Sequence, residues 1–321
     1  MIAPSMVDSP ENTGAPRRLL VIYNPTAGGS RRRRFEAVLA ALADLGCEMD
    51  VRPTTAAGDA AVYAQGADRT AHDLVVAAGG DGTINEVVNG LIALGGPGGE
   101  AAPPLAVLPL GTANVLAAEL GLDLNPAHIA RVIAQGPIRP VCLGRVSLGR
   151  AESADGEGRA FSLMAGAGFD ARVVAGIDLR VKRLIGKGAY VLEGLYQMCR
   201  EKPPLLKVTV DGRAYEAASV VVSNARFYGG RYLLAPEARL EDPLLHVCLF
   251  RYGDTCNILR YAFALQHGRL REDDRFHIVT GRDIRIEGDP GAPLQADGDI
   301  VAQLPVRIGA LPQALRMVTA G

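Results

Sequence analysis

Apolar runs alternate with segments of helical periodicity along the first 120 residues. Strands are predicted at four places, 19–23, 49–52, 74–78 and 105–108. Helices are predicted after each of them, near 35–45, 58–67, 83–93 and 113–120, from the spacing of apolar residues and from the turns that bound them. This alternation predicts an α/β fold in which a mostly parallel sheet is covered by helices on both faces.

The loops that follow these strands share one edge of the predicted sheet, because the carboxyl ends of parallel strands point the same way. They are the loops at 24–25, 53–55, 79–83 and 109–114. Ligands of open α/β sheets bind outside the carboxyl ends of the strands. The sequence therefore predicts a binding site at this edge.

The pattern changes after about Pro140. Asp-Gly pairs, which form the tight turns of β-hairpins, occur at Asp211-Gly212 and Asp297-Gly298. Strands are predicted at 206–210, 214–222, 244–252, 276–280, 284–287 and 293–296, and a helical stretch at about 173–198. A second, mostly antiparallel unit is therefore predicted, as a sandwich or a partial barrel.

Composition and charge exclude several classes of protein. The 321 residues include 34 Lys and Arg against 35 Asp and Glu and no Trp, so no nucleic-acid partner is expected. Residues 1–17 lack an apolar run of signal-peptide length and are expected to form a disordered arm. The absence of a run of about eighteen apolar residues and the scattered cysteines favour a cytoplasmic protein that meets membranes only from the aqueous side.

The loop from Gly79 to Thr83 carries the most specific chemistry. Its glycines let the backbone approach a bulky anion, and the helix that follows favours negative charge at its N-terminus. Asp81 would repel a phosphate there unless a divalent cation lies between them or the carboxylate accepts a proton from a hydroxyl group. An ordinary strand-to-helix turn with an acidic cap is the alternative. The P-loop and protein-kinase signatures do not occur, and no dinucleotide fingerprint follows the first strand.

Three segments occur in an ordered set: YNPTAGG at 23–29, GGDGTINEVVNG at 79–90 and LPLGTANVLA at 108–117. Together they resemble the diacylglycerol kinase catalytic-domain family, which includes sphingosine and ceramide kinases. The resemblance continues through AGAGFDA at 165–171 and ADGD at 296–299, so it covers nearly the whole chain.

The resemblance implies a division of the chain. Residues 18–140, joined by a returning segment at 301–321, would form an ATP-binding α/β domain of the NAD kinase and diacylglycerol kinase type. Residues 141–300 would form a β-rich lipid-binding domain, with nucleotide and lipid meeting in the cleft between the two.

The resemblance also implies roles for single residues. Asp81 would act with magnesium or as the base, and Asp297 resembles a carboxylate that deprotonates the lipid hydroxyl; which of the two is the base stays open. ATP, with Mg²⁺ bound through Asp81, would be held by the loop residues Asn24, Thr54, Gly79, Gly80, Gly82, Thr83, Glu86, Gly111, Thr112, Asn114 and Asp299.

Some positions depart from the family pattern. Cys142 stands where an Asp is usual, and Asp242-Pro243 is followed by His246 instead of a second carboxylate. The family's structural magnesium site at Asp242 is therefore doubtful. Ala118 stands where an Arg is common. These departures predict an altered acceptor preference.

Two basic stretches could face an anion. Arg31 to Arg34 lie at the start of the first helix, either as a solvated face or as a site for polyphosphate or anionic lipid. Residues 179–187 mix basic and apolar side chains, and could form a membrane-facing edge or a packed lid. A peripheral position at the inner membrane surface, with transient contact to a membrane lipid substrate, is expected, and homodimer formation stays open.

The leading hypothesis is an ATP-dependent lipid kinase acting on diacylglycerol or on a sphingoid or ceramide-type lipid. An NAD kinase-like enzyme is a second hypothesis, because that family also uses a Gly-Gly-Asp-Gly-Thr loop. Asn24-Pro25 and Asn85-Glu86 disfavour it. A non-catalytic lipid or nucleotide sensor is the third, motivated by Cys142, Pro243 and His246.

Overall fold

The computed structural model describes residues 17–26, 29–95, 101–147, 158–169, 171 and 205–321. The predicted helix at 173–198 and the basic stretch at 179–187 lie outside these residues. In chain order the first part contains β1 (Arg18–Tyr23), α1 (Gly29–Asp44), β2 (Glu48–Pro53), α2 (Asp59–Gln65), β3 (Leu74–Gly79), α3 (Asp81–Gly95), β4 (Leu105–Pro109), α4 (Val115–Glu119) and α5 (Pro126–Gln135).

The second part consists mostly of strands. These are β5 (Ile138–Ser147), β6 (Gly158–Phe161), β7 (Met164–Ala167), β8 (Leu206–Val210), β9 (Arg213–Ala217), β10 (Ser219–Ser223), β11 (Phe227–Tyr228), β12 (Tyr232–Leu233), β13 (Leu245–Phe250), β14 (Phe276–Gly281), β15 (Asp283–Glu287), β16 (Pro293–Ala296), β17 (Asp299–Gln303) and β18 (Val306–Val318). Helix α6 (Thr255–Gln266) and a 3₁₀ turn (Leu270–Glu272) lie between β13 and β14.

The first four strands form a parallel sheet in the order β2-β1-β3-β4. The chain steps one way from β1 to β2 and the other way from β2 to β3, so right-handed crossovers place α1 and α2 on opposite faces. In agreement, α1 packs against α5 and α2 against α3. The predicted α/β architecture with both faces covered is confirmed.

Helix α5 was not predicted, although the sequence contains a start signal for it. Asn125 caps the helix by accepting hydrogen bonds from Ala127 N at 3.0 Å and His128 N at 3.4 Å. Pro126 occupies the first helical position, where its missing N–H costs nothing. Arg17, assigned to the disordered arm, instead donates to Ile133 O at 2.7 Å and Gly136 O at 3.0 Å. Arg17 is therefore fixed against the C-terminal end of α5.

The last strand joins the two parts of the molecule. β18 pairs in parallel with β4 at Met317 and Leu105, and antiparallel with β5 and β15. The larger sheet therefore continues from the parallel strands through β18 to β15, β8 and β9. The returning C-terminal segment lies at the centre of this sheet.

A second, antiparallel sheet packs on this extension in the order β14-β13-β10-β7-β16-β17. Its inner face and that of the larger sheet share one apolar core, which contains Phe161, Val220, Leu294 and Ile308, all fully buried. The expected antiparallel sandwich is confirmed.

The prediction of one continuous strand over 214–222 is wrong. The segment 214–222 is not continuous, because the chain bends at Ala218, whose N–H donates to Phe250 O at 2.8 Å. β9 stays in the larger sheet and β10 enters the second one. The predicted turn before β9 is present, with positive φ at Asp211 (45°) and Gly212 (83°).

Candidate active site

The loops at the carboxyl ends of the parallel strands enclose a cleft of about 510 Å³. This volume is typical of small-molecule sites. Ten of the predicted binding residues line it: Asn24, Thr54, Gly79, Gly80, Gly82, Thr83, Glu86, Gly111, Thr112 and Asp299. Asn114, Asp81 and Asp297 are not among the lining residues.

Asn24 ties the loop after β1 to the start of α3. Its side-chain amide donates to Thr83 Oγ1 at 3.0 Å, and its oxygen accepts from Thr26 Oγ1 at 2.6 Å. Asn24 N also donates to Ala78 O at 3.0 Å. The first and third loops are therefore fixed to each other before any ligand binds.

Two glycines are required where the third and fourth loops meet. A Cβ atom on Gly111 would lie 2.7 Å from the Cα of Gly80, closer than real Cβ atoms approach other atoms. At Gly79 a Cβ would lie 2.5 Å from the Cβ of Thr83. A Cβ on Gly82 meets nothing within 4 Å. Gly80 and Gly111 therefore allow the loops to touch, whereas Gly82 leaves open space in the cleft.

The loop before α2 forms the opposite wall. Asp59 holds it by accepting from Thr55 N at 2.7 Å and Ala56 N at 2.9 Å. Glu86 on α3 accepts from Gly58 N at 3.0 Å. These contacts support Thr54, whose N–H donates to Tyr23 O at 2.8 Å. The wall is thus anchored to both α3 and β1.

Asn114 shapes the fourth loop from behind. It is buried, has the left-handed backbone conformation (φ 50°), and accepts from Gly111 N at 2.7 Å. It also donates to Gly111 O at 3.0 Å. The structure therefore gives Asn114 a supporting position and not a place in the cleft wall.

Asp81 is the first residue of α3 and is half-buried. Its carboxylate lies at the start of α4 and accepts a long hydrogen bond from Leu116 N, at 3.4 Å, and the backbone N–H groups of Val115 and Asn114 also stabilise its charged form. Burial raises the pKa of Asp81, and the nearby charge of Asp297 raises it further. The two predicted catalytic carboxylates are therefore close enough to influence each other.

Asp297 occupies a hairpin turn with φ of 47°, followed by Gly298 with φ of 92°. Its carboxylate turns inward and accepts from Ser162 N (2.7 Å), Ser162 Oγ (3.0 Å), Leu163 N (3.0 Å), Met164 N (3.0 Å) and Asn85 Nδ2 (2.8 Å). Burial raises the pKa of Asp297, and these donors oppose that rise by stabilising the charged form. The residue is thus both a turn residue and a buried polar centre.

Sequence reasoning missed the polar residues around Asp297. Asn85 and Asn89 lie one turn apart on α3, and both donate to Ala160 O, at 3.2 and 3.0 Å. Arg159 donates to Asn85 Oδ1 at 2.8 Å. Two asparagines four residues apart, and so on one face of a helix whose other interior residues are mostly apolar, are the signal that could have found this cluster. It joins α3 to the β-rich part of the chain.

Asp242, considered for a structural magnesium ion, is exposed. Beside this segment the Cys142 thiol donates to Glu241 O at 3.4 Å, and burial raises its pKa. In the part of the chain that the structure describes, no group of three or more His, Cys, Asp and Glu residues could hold a metal ion. Nor does any described helix have the length and apolar character needed to cross a bilayer.

The fold and the cleft together define a two-part class of protein, in which a glycine-rich cleft lies at the edge of a parallel sheet beside a β-sandwich. The family model for the diacylglycerol kinase catalytic domain matches residues 18–146. The model for the YegS C-terminal NAD kinase beta sandwich-like domain matches residues 164–319.

Similar proteins agree with these matches. A "Probable lipid kinase YegS-like" protein of Pseudomonas aeruginosa is 31% identical over 93% of this chain and 93% of its own length. A diacylglycerol kinase of Bacillus subtilis is 29% identical over 90% of this chain and 92% of its own length. The chain belongs to the diacylglycerol kinase and YegS-like lipid kinase family, as the sequence motifs predicted.

Solved structures show the same architecture. A crystal structure of a diacylglycerol kinase from Bacillus anthracis superposes with a TM-score of 0.72 and 26% identity, covering 94% of this chain and 97% of that one. Yeast NADH kinase, solved with NADH, has a TM-score of 0.51 and 13% identity, covering 98% and 88%. The second likeness establishes a shared fold only.

Proposed function

We propose that this protein is an ATP-dependent lipid kinase that transfers the γ-phosphate of ATP to a hydroxyl group of diacylglycerol or of a sphingoid or ceramide-type lipid. The observation that carries the proposal is the cleft where the N-terminus of α3 faces the Gly111 loop beside Asp81. Membership of a lipid kinase family supports a lipid acceptor.

The residues of the cleft fit a nucleoside triphosphate and a magnesium ion. Gly82 leaves space for a phosphate beside the first-turn N–H groups of α3, which have no partner within the helix. Magnesium in kinases binds one or two carboxylates together with substrate phosphates, so Asp299 on the cleft wall would be enough to hold the ion. When bound, the ion would neutralise charge on the transferring phosphoryl group.

Asp81 is better suited than Asp297 to serve as the base. Five donors surround the Asp297 carboxylate at 2.7 to 3.0 Å, whereas Leu116 N approaches the Asp81 carboxylate only to 3.4 Å. Its raised pKa also makes Asp81 a stronger base than an ordinary aspartate. As the lipid oxygen bonds to the γ-phosphorus, the bond from phosphorus to the bridging oxygen of ADP breaks, and the hydroxyl proton passes to Asp81. Asp297 then serves as a positioning residue.

Transient contact with a membrane belongs to the same proposal. Leu259 and Phe263, one turn apart on α6, are 52% and 65% exposed, and Tyr252, which precedes α6 in the chain, is 42% exposed. α6 packs beside the hairpin β11–β12, which also exposes Tyr232 and Leu233. Exposed Leu and Phe on a helix, with exposed Tyr on neighbouring segments, suit the boundary between headgroups and acyl chains.

The same hairpin connects to the catalytic side of the cleft. Glu119 on α4 accepts from Phe227 N at 2.7 Å and from Arg226 Nε at 3.0 Å. Leu116, one turn earlier, donates to Asp81. These contacts join the exposed hairpin to α4, whose Leu116 contacts the proposed base.

The experiment is a transfer assay with γ-labelled ATP, Mg²⁺ and separate acceptors: diacylglycerol, ceramide, sphingosine and NAD. Label in one of the lipids is expected. Label in NAD alone would contradict the proposal and show that the protein is a dinucleotide kinase. ATP binding without transfer to any acceptor would favour the non-catalytic sensor.

A further inference from the structure

The four arginines at the start of α1 have different surroundings. Arg32 pairs with Glu36 at 2.9 Å on the outer surface, and Arg33 is exposed. Arg34 donates to Pro109 O at 3.2 Å and so supports β4. Arg31 turns to the cleft, where its guanidinium donates to Thr112 Oγ1 at 2.7 Å. The run is therefore not one uniform basic face.

Arg31 is the only cation among the described residues that line the cleft. It lies at the Gly111-Thr112 loop, which touches Gly80 across the glycine contact described above. This is the glycine-rich end of the cleft, and the wall with Thr54 and Glu86 is the other side. Glu86 and Asp299 also line the cleft, but within the described part of the chain Arg31 forms no salt bridge with either.

The helix itself disfavours a cation at this position. Arg31 is in the first turn of α1, which contains no acidic residue. The partial positive charge of a helix N-terminus repels a guanidinium, and half-burial weakens its hydration. An anion bound in the cleft would offset both unfavourable effects on the charged Arg31 side chain.

We propose that Arg31 binds the terminal phosphates of the nucleotide and thereby makes this cleft prefer a triphosphate donor. The inference rests on the proposed function, since it assigns the donor of the same site. A guanidinium offers paired N–H groups that match phosphate oxygens. The hydrogen bond to Thr112 orients the guanidinium of Arg31 in the free protein.

The test measures the affinity of the full-length protein for ATP, ADP and AMP, each with Mg²⁺, by calorimetry. Arg31→Gln is compared with Arg33→Gln, a control of the same chemistry outside the cleft, and with Arg31→Lys. Arg31→Gln is expected to weaken ATP binding by about tenfold to a hundredfold and AMP binding by less than about twofold. Arg33→Gln should bind like the wild type, and Arg31→Lys should fall between the two. Melting temperatures without ligand identify variants that have lost the fold.

Several results would overturn the inference. Equal ATP affinity in the wild type and Arg31→Gln removes Arg31 from the phosphate site. An equal loss for ATP, ADP and AMP indicates a structural effect. Weaker binding of Arg31→Gln to anionic phospholipid vesicles, with unchanged nucleotide affinity, assigns the residue to the membrane instead. If the wild type binds no nucleotide at all, the proposed function fails and the inference fails with it.

Discussion

Two aspartates that look equivalent in the sequence have opposite surroundings. Asp81 begins a helix and is approached by Leu116 N only to 3.4 Å, whereas Asp297 has five donors within 3.0 Å, from 162–164 and Asn85. A carboxylate whose donors are distant, such as Asp81, can take a proton from a substrate. A carboxylate with many close donors, such as Asp297, stabilises the structure, because each donor would be left without a partner if the carboxylate were removed.

Asp81→Asn is expected to lower kcat by about 10² to 10⁴-fold, the usual contribution of a general base. Burial raises the pKa of Asp81 in the folded state, so the ionised group opposes folding above its unfolded pKa. The Tm at pH 7 should therefore not fall, and any gain should vanish in acid. Rates and calorimetric Tm values check this, with the exposed Asp44→Asn as control. Retained turnover would show that Asp81 is not the base.

Asp297→Asn should reduce stability as well as activity. The amide keeps one acceptor oxygen and brings an N–H₂ group against existing donors, which costs about 1–3 kcal/mol of unfolding free energy. Loss of its negative charge also lowers the pKa of Asp81, so the acid limb of kcat/KM should move to lower pH. Ser162→Ala removes one donor without changing charge and should leave that limb in place. An unmoved limb in Asp297→Asn would contradict the assignment.

At the scale of single elements, α3 carries glycines with different purposes. Gly82 faces open space in the cleft, whereas a Cβ on Gly90 would lie 2.3 Å from Ala61 O of α2. Gly90 therefore allows α2 and α3 to pack closely, and Gly82 leaves room for a ligand. The same residue type serves packing at one end of the helix and binding at the other.

Alanine substitution separates these two roles. Gly90→Ala should lower stability by about 1–3 kcal/mol through overpacking. Gly82→Ala should leave the Tm unchanged or slightly raised, because alanine favours a helix, yet weaken ATP binding since its methyl group enters the cleft. Thermal unfolding measures the stability of both variants, and ATP titration measures their affinity for the nucleotide. Unchanged ATP affinity in Gly82→Ala would show that no phosphate approaches this residue.

Helix α6 supplies a second test at this scale. Replacing Leu259 and Phe263 by Ser should reduce sedimentation with phospholipid vesicles and activity on a vesicle-embedded lipid, because the apolar area available for insertion is lost. Activity on a short-chain acceptor in detergent should persist. Val62→Ser, at an equally exposed apolar position on α2 (66%), is the control. Equal vesicle binding by all variants would remove α6 from the membrane contact.

At the scale of the whole molecule, β18 holds the two parts together. It pairs with β4 on one side and β5 on the other, and continues to β15 of the sandwich. The Asn85–Asp297 bond makes a second link between α3 and the β-rich part. The proposed base, Asp81, and the positioning residue, Asp297, are thus placed by one continuous sheet and one polar cluster.

Truncation after Gln303 should therefore abolish cooperative folding of the whole chain and not only of its C-terminal part. The parallel sheet would lose the neighbour of β4, and buried side chains such as Ile308, Leu315 and Met317 would be missing from the cores. Near-UV circular dichroism and thermal unfolding measure this. A truncated protein that keeps a sharp transition and still binds ATP would show that the N-terminal part folds alone.

The sequence alone determined the local features of this protein. Buried strands, amphipathic helices and Asp-Gly turns depend on neighbouring residues. The strands β1 to β4 and the helices between them therefore followed from periodicity, and the two hairpin turns followed from the Asp-Gly pairs. The ordered glycine motifs were enough to indicate the family and to name ten residues that line the cleft. The break at Ala218 could not be found, because both halves of that segment have strand character and only packing assigns them to different sheets.

Long-range contacts were decided by the tertiary structure. Asp297 meets Ser162 and Asn85 across 135 and 212 positions of the chain, and Arg31 meets Thr112 across 81. No local pattern records which donors will surround a carboxylate or which of four adjacent arginines will face a cleft. Those outcomes depend on how the sheets and helices pack, since burial and hydrogen bonding set the charge state and reach of each group.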